Sequence, residues 1–144
     1  MLLGIDFGTR KVGLAVSEHK SDAIPLPLTI IRYKKYQELK SELHKAIADY
    51  DINAFVVGAL PKYKSGDEEK QMQFESFITM LKDDFNLPIY FVDESRSTKA
   101  ALNFGKEDPD FKEKFDDAIS AQVILQTYLN KHGAHEDQRD YFKP

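Results

Sequence analysis

Leu2-Leu3-Gly4-Ile5-Asp6-Phe7-Gly8-Thr9-Arg10-Lys11-Val12-Gly13-Leu14-Ala15-Val16 opens the chain with two short β-prone runs, Leu2 to Asp6 and Val12 to Val16. Between them, Gly8-Thr9-Arg10-Lys11 supplies a polar turn with a glycine in it, and the whole reads as a hairpin. Asp6 is out of place in such a strand. A carboxylate that ends an apolar run, beside a glycine where backbone can approach a ligand closely, is placed for metal or phosphate work. The plain alternative is an aspartate that caps its own turn.

Working outward, Leu28 to Arg32 reads as a third strand, and Pro25 and Pro27 argue for an extended connection before it. Tyr36, Leu39, Leu43, Ile47 and Tyr50 recur at three- and four-residue steps, the mark of an amphipathic helix from Tyr36 to Tyr50. Ala54 to Gly58 reads as a buried strand. Pro61 to Asp67 is a polar connection, and Phe74, Phe77, Ile78, Leu81 and Phe85 form a second helical stripe. Pro88 to Val92 is the next buried strand. Ser97 to Phe104 is a short segment, Lys106 to Lys114 a charged stretch, and Ala121, Ile124, Leu125, Tyr128 and Leu129 mark a last helix that Asp117 begins. The order β-β-β-α-β-α-β-α predicts a mixed α/β sheet opened by a meander. Residues 1–131 are read as one domain and 132–144 as a polar, flexible tail.

The chain's 144 residues suffice for one core and not for two ordinary domains. No stretch approaches the roughly 18 consecutive apolar residues of a membrane span, so no membrane partner is expected. The absence of cysteine excludes disulfides and thiolate metal sites, and the opening residues lack a basic leader, so a cytoplasmic location is expected. Net charge is −4, from 24 acidic and 20 basic side chains, and gives no global case for nucleic-acid binding. A local basic surface would be enough. Arg10, Lys11, Arg32, Lys34, Lys35, Lys62, Lys64, Arg96 and Lys99 are its candidates, with solvated surface charge as the alternative for each.

Two more acidic positions repeat the pattern of Asp6. The run Ile89 to Val92 delivers Asp93 and Glu94 at the carboxyl end of a strand, the edge where open α/β sheets bind ligands. Asp116 and Asp117 precede Ser120 and Ala121, whose small side chains would let a helix approach the sheet closely. In each pair one residue serves equally well as a helix cap. Carboxylates that converge on one sheet edge suit hard divalent cations, Mg²⁺ or Mn²⁺, and two such ions can promote hydrolysis of a phosphodiester. The histidines, His19, His44, His132 and His135, lack zinc-ligand spacing and read as solvated.

The opening motif, from Gly4 to Val16, resembles the first motif of the YqgF family, whose members are described as candidate Holliday junction resolvases or pre-16S rRNA nucleases. Three further stretches agree in order: Val56-Val57-Gly58 with Pro61 and Gly66; Asp93-Glu94 with Ser97, Thr98 and Ala101; and Asp117 with Ser120, Ala121, Ile124-Leu125-Gln126 and Tyr128-Leu129. The resemblance covers nearly the whole chain. It implies an RNase H-like fold with a five-stranded mixed sheet flanked by helices, and Mg²⁺- or Mn²⁺-dependent hydrolysis of pre-rRNA or branched DNA. By position it assigns the catalytic and metal roles to Asp6, Glu94 and Asp117. Thr9, Arg10, Lys11, Arg96, Ser97 and Thr98 are the matching substrate contacts. The chain departs from the family pattern at Ser95-Arg96, where arginine usually follows the acidic pair directly. It departs again at Gly58-Ala59-Leu60-Pro61, which is one residue longer, and at Glu18, where aspartate is usual. Two further readings are kept: a nucleic-acid-binding module without catalysis, and a nucleotide phosphotransferase, because Asp6-Phe7-Gly8-Thr9 also resembles the phosphate loop of actin-like and sugar kinases. The latter hold ATP between two related domains, and this chain has room for one. A junction resolvase would need two active sites, hence a homodimer or two monomers acting together.

Overall fold

A computed structural model describes residues 1–8, 10–20, 22–59, 68–93 and 109–132, with the backbone alone for residues 59, 93, 109–117 and 132. In chain order its elements are β1 (Leu2–Phe7), β2 (Lys11–Ser17), β3 (Leu26–Arg32), α1 (Tyr36–Tyr50), β4 (Ala54–Ala59), α2 (Glu68–Phe85), β5 (Ile89–Asp93) and α3 (Pro109–His132). The strands form one sheet in the order β3-β2-β1-β4-β5. The first two pairings are antiparallel, and β1, β4 and β5 run parallel, so these three present their carboxyl ends at the same edge. This is the mixed five-stranded sheet that the sequence predicts.

Period-2 alternation in β1 divides its side chains between two layers. Leu3 and Ile5 join Leu39, Leu43, Phe77 and Leu81 in the larger core beneath α1 and α2. Leu2 joins Ala121, Ile124, Leu125 and Tyr128 in a smaller core beneath α3. β4 and β5 obey the same rule, with Phe55, Val57 and Ile89 on the first face and Val56, Tyr90 and Val92 on the second. The sheet is therefore covered on both faces.

α1 begins where Glu38 reaches back, its Oε1 accepting the backbone N–H groups of Lys34 at 2.8 Å and Lys35 at 3.0 Å. Those bonds satisfy donors that a helix start leaves open and hold the Glu38 carboxyl below its usual range. The helix ends at Asp51, whose left-handed φ of 56° is the usual way to close a helix. Lys40 pairs with Asp84 at 3.0 Å, tying α1 to α2.

Two departures from the sequence reading have physical reasons. β3 starts at Leu26 and includes Pro27, which pairs with Ala15 where the register shifts after Leu14. β3 is an outer strand, and an outer strand with a bulge tolerates the N–H that proline lacks. α3 begins at Pro109, so Asp117 does not begin the last helix, and the charged stretch through Lys114 is helical from that proline onward. Proline is favoured at a first helical position, and lysine and glutamate form helix well without contributing an apolar stripe. Asp116 and Asp117 therefore stand inside the helix, and the reading of either as its cap is withdrawn.

Candidate active site

Asp6 is the fifth residue of β1, a strand whose even-numbered residues face α3. Along that row, Leu2 is fully buried, Gly4 lies under the helix, and Asp6 emerges half-buried at the sheet edge. A Cβ added at Gly4 would lie 2.6 Å from Leu125 Cγ and 2.8 Å from the Ala121 carbonyl oxygen. α3 thus touches β1 through backbone, as its small residues Ser120 and Ala121 permit. Residue 117 stands one helical turn before Ala121, about 6 Å along the axis. Asp6 stands two residues past Gly4, about 6.6 Å along the strand. A single close contact between helix and strand therefore ties both acidic positions to one neighbourhood.

Glycines flank Asp6 across the sheet. It pairs with Gly13 of β2, and one step past the Ile5–Val57 pair it comes level with Gly58 of β4, which pairs in turn with Val92 of β5. Residues directly opposite one another point to the same face, so the carboxylate has no side chain beside it on either adjoining strand. Glycines on both adjoining strands suit an oxygen ligand to a hydrated hard cation, which keeps several of its waters. β5 ends at Asp93, level with Ala59. Glu94 lies outside the described residues, as do Thr9, Arg96, Ser97, Thr98, Lys62, Lys64 and Lys99, and the side chain of Asp117 is likewise beyond them.

The next row toward the edge is basic. Lys11 pairs with Arg32, and by alternation both share the face of Asp6 and Gly13. Together with Arg10, Tyr33, Lys34 and Glu38 they line a cleft of about 880 Å³. Four of the nine basic candidates named from sequence are brought together here. Lys35 is exposed beside them at the start of α1.

Tyr33, which the sequence reading passed over, braces this corner. Its backbone N–H donates to the Arg10 carbonyl at 3.1 Å, and its hydroxyl donates to the Gly8 carbonyl at 2.8 Å. The ring is buried, and that burial, with Tyr36 adding to it, pushes the phenol up to about 12. A Cβ at Gly8 would come within 2.5 Å of the Lys11 carbonyl oxygen, so the turn is too tight for any side chain there. From beneath, Phe7 stacks on Phe77 with ring centroids 4.4 Å apart. The available signal for Tyr33 was parity, since Ile31 and Tyr33 continue one apolar alternation. His19 also departs from the solvated reading, because it is half-buried with its Nε2 3.4 Å from the Tyr128 hydroxyl.

Comparison with known proteins bears on the family and the fold. A family model described as RuvX, Holliday junction resolvase, matches residues 1–131. A Campylobacter lari protein named as a candidate pre-16S rRNA nuclease is 36% identical over 126 residues, covering 88% of this chain and 94% of its own length. A Rickettsia bellii protein of the same name is 36% identical over 133 residues, covering 90% and 85%. Among solved structures, Thermus thermophilus RuvC in complex with a Holliday junction substrate superposes with a TM-score of 0.58 at 13% identity, over 92% of this chain and 97% of that one. The fold is thus RNase H-like.

Proposed function

The chain belongs to the RuvX (YqgF) family of nucleases, and on that premise we propose that it hydrolyses phosphodiester bonds of structured nucleic acid with Mg²⁺ or Mn²⁺ held by Asp6, Glu94 and Asp117. The observation that carries the reading is Asp6 itself, a half-buried carboxylate between Gly13 and Gly58 at the shared carboxyl edge of three parallel strands. Glu94 follows Tyr90 and Val92 at two-residue steps, and those two residues face α3. Asp117 stands one turn before the Ala121–Gly4 contact. The positions of Asp6 and Asp117 support a common metal site, which Glu94 is proposed to complete.

When bound, the cations would polarise the phosphoryl oxygens and lower the pKa of the attacking water. The protein's own part is to hold the phosphate in register. Asp6 would hold the cations at the end of β1. Lys11 offsets charge on the phosphate from the adjoining row, and the Tyr33–Gly8 bond keeps the turn that carries Lys11 from shifting. Water adds to phosphorus and gives up a proton to solvent, the bridging P–O bond breaks, and the departing oxygen takes a proton from solvent. Ser97, Thr98, Thr9 and Arg96 are proposed to contact the same phosphate.

The substrate we favour is pre-16S rRNA at its 5′ end, processed in the cytoplasm, because the relatives at 36% identity carry that name. The description of the family model favours a second reading, a four-way DNA junction cut by two copies of the chain. Family membership sets the phosphotransferase alternative aside. The test is cleavage of structured RNA, single-stranded DNA and four-way junctions in Mg²⁺, Mn²⁺ or EDTA. Cutting that needs the cation and is lost in Asp6→Asn is expected. Equal cutting by the variant or in chelator would refute the assignment, and binding without cutting in every condition would identify a non-catalytic module.

A further inference from the structure

We propose that the cleft formed by Arg10, Lys11, Arg32 and Lys34 is a track for the phosphate backbone of the nucleic acid that flanks the cut, held by charge and blind to base identity. The inference rests on the nuclease reading and deepens it by saying where the uncut part of the substrate lies. Four cations from two separate segments, the β1–β2 turn and the end of β3, gather around about 880 Å³ in a chain whose net charge is −4. Composition does not account for that concentration. Lys11 and Arg32 are direct cross-strand partners on one face, so two cationic side chains leave the sheet from Cβ atoms about 5 Å apart.

The one acid among the described residues that line the cleft does not answer for it. Glu38 is committed through Oε1 to the backbone N–H groups of Lys34 and Lys35. Among the described residues, Arg10 and Arg32 make no ion pair. The cleft also continues the row order of the site, since Lys11 and Arg32 come one step after Gly13 and Asp6 toward the sheet edge. A backbone that passes Asp6 meets these cations next. Several phosphates fit the volume, and lysine and arginine set along a groove follow a phosphate backbone by charge.

The test is binding of a labelled structured RNA in EDTA, which separates affinity from cutting, over about 50 to 200 mM salt. We compare the full-length protein with R32A/K34A, with the charge-keeping R32K/K34R, and with K45A/K131A, which removes two exposed cations elsewhere. Loss of two phosphate contacts lowers the slope of log affinity against log salt by about 1.4 to 1.8 and weakens binding at least about tenfold at the low-salt end. R32K/K34R keeps the slope, and K45A/K131A leaves it unchanged. An unaltered slope in R32A/K34A, or an equal fall in K45A/K131A, overturns the track while cation-dependent cutting by the wild type leaves the nuclease reading standing. Pyrophosphate that competes as strongly per phosphate as the RNA overturns it in favour of a small-anion site. Wild-type protein that neither binds nor cuts overturns both.

Discussion

The two faces of β1 carry opposite assignments within six residues. On the face toward α1 and α2, Leu3 and Ile5 are wholly buried and Phe7 is stacked on Phe77, so each position contributes packing. On the face toward α3 the row runs Leu2, Gly4, Asp6: one apolar anchor, one bare backbone contact, one carboxylate. One strand thus holds a stability element and a chemical element back to back. Substitutions on one face should move melting temperature, and on the other, turnover.

The largest expected effect is on the α3 face. Asp6→Asn should lower cleavage by at least about a thousandfold, about 4 kcal/mol of barrier, with a thermal midpoint close to wild type, measured by single-turnover kinetics and calorimetry. A variant that loses activity only by unfolding would erase the contrast. Ile5→Ala, on the opposite face, should lose about 2 to 5 kcal/mol of stability in denaturant titration and keep its activity per folded molecule. Gly4→Ala sits between the two cases, because its Cβ meets the Ala121 carbonyl. We expect about 1 to 3 kcal/mol of destabilisation together with reduced turnover, as α3 is pushed off the strand that bears Asp6. Loss of stability with unchanged kcat would show that the approach of α3 serves packing alone.

Tyr33→Phe should have the smallest effect, about 1 kcal/mol from the lost bond to Gly8 and a KM rise larger than any fall in kcat. It also carries a pH signature. The folded-state phenol titrates at about 12 against an ordinary 10, so its contribution is complete below pH 10 and is lost as pH rises toward 12. Wild-type stability should decline across that interval, and Tyr33→Phe should flatten part of the decline in alkaline melting curves.

Local repetition made much of this fold readable in sequence. α1 runs from Tyr36 to Tyr50 as the apolar spacing predicts, because it buries one stripe along its length. The apolar spacing predicts too short an α3, because Lys112, Glu113 and Lys114 favour helix without showing a face, and Asp117 therefore resembles a terminal residue. At the site, Asp6 announced itself as an acid in an apolar strand. Its flanking glycines did not, since Gly13 and Gly58 lie seven and fifty-two positions away and become neighbours only through strand register. The Lys11–Arg32 pair was hidden for the same reason: composition lists charges, and only pairing makes them adjacent.

Pro27 bears on how the molecule behaves in crowded solution. The outermost strand lacks one backbone donor and shifts register beside that residue, while Leu26, its first residue, is 60% exposed. An apolar sheet margin of this kind is where chains add edge to edge and fibres begin. The missing donor and the shifted register interrupt the ladder that an incoming strand would need. Replacing Pro27 with valine would restore the donor, and the fold would persist while the concentration at which the protein stays dispersed would fall.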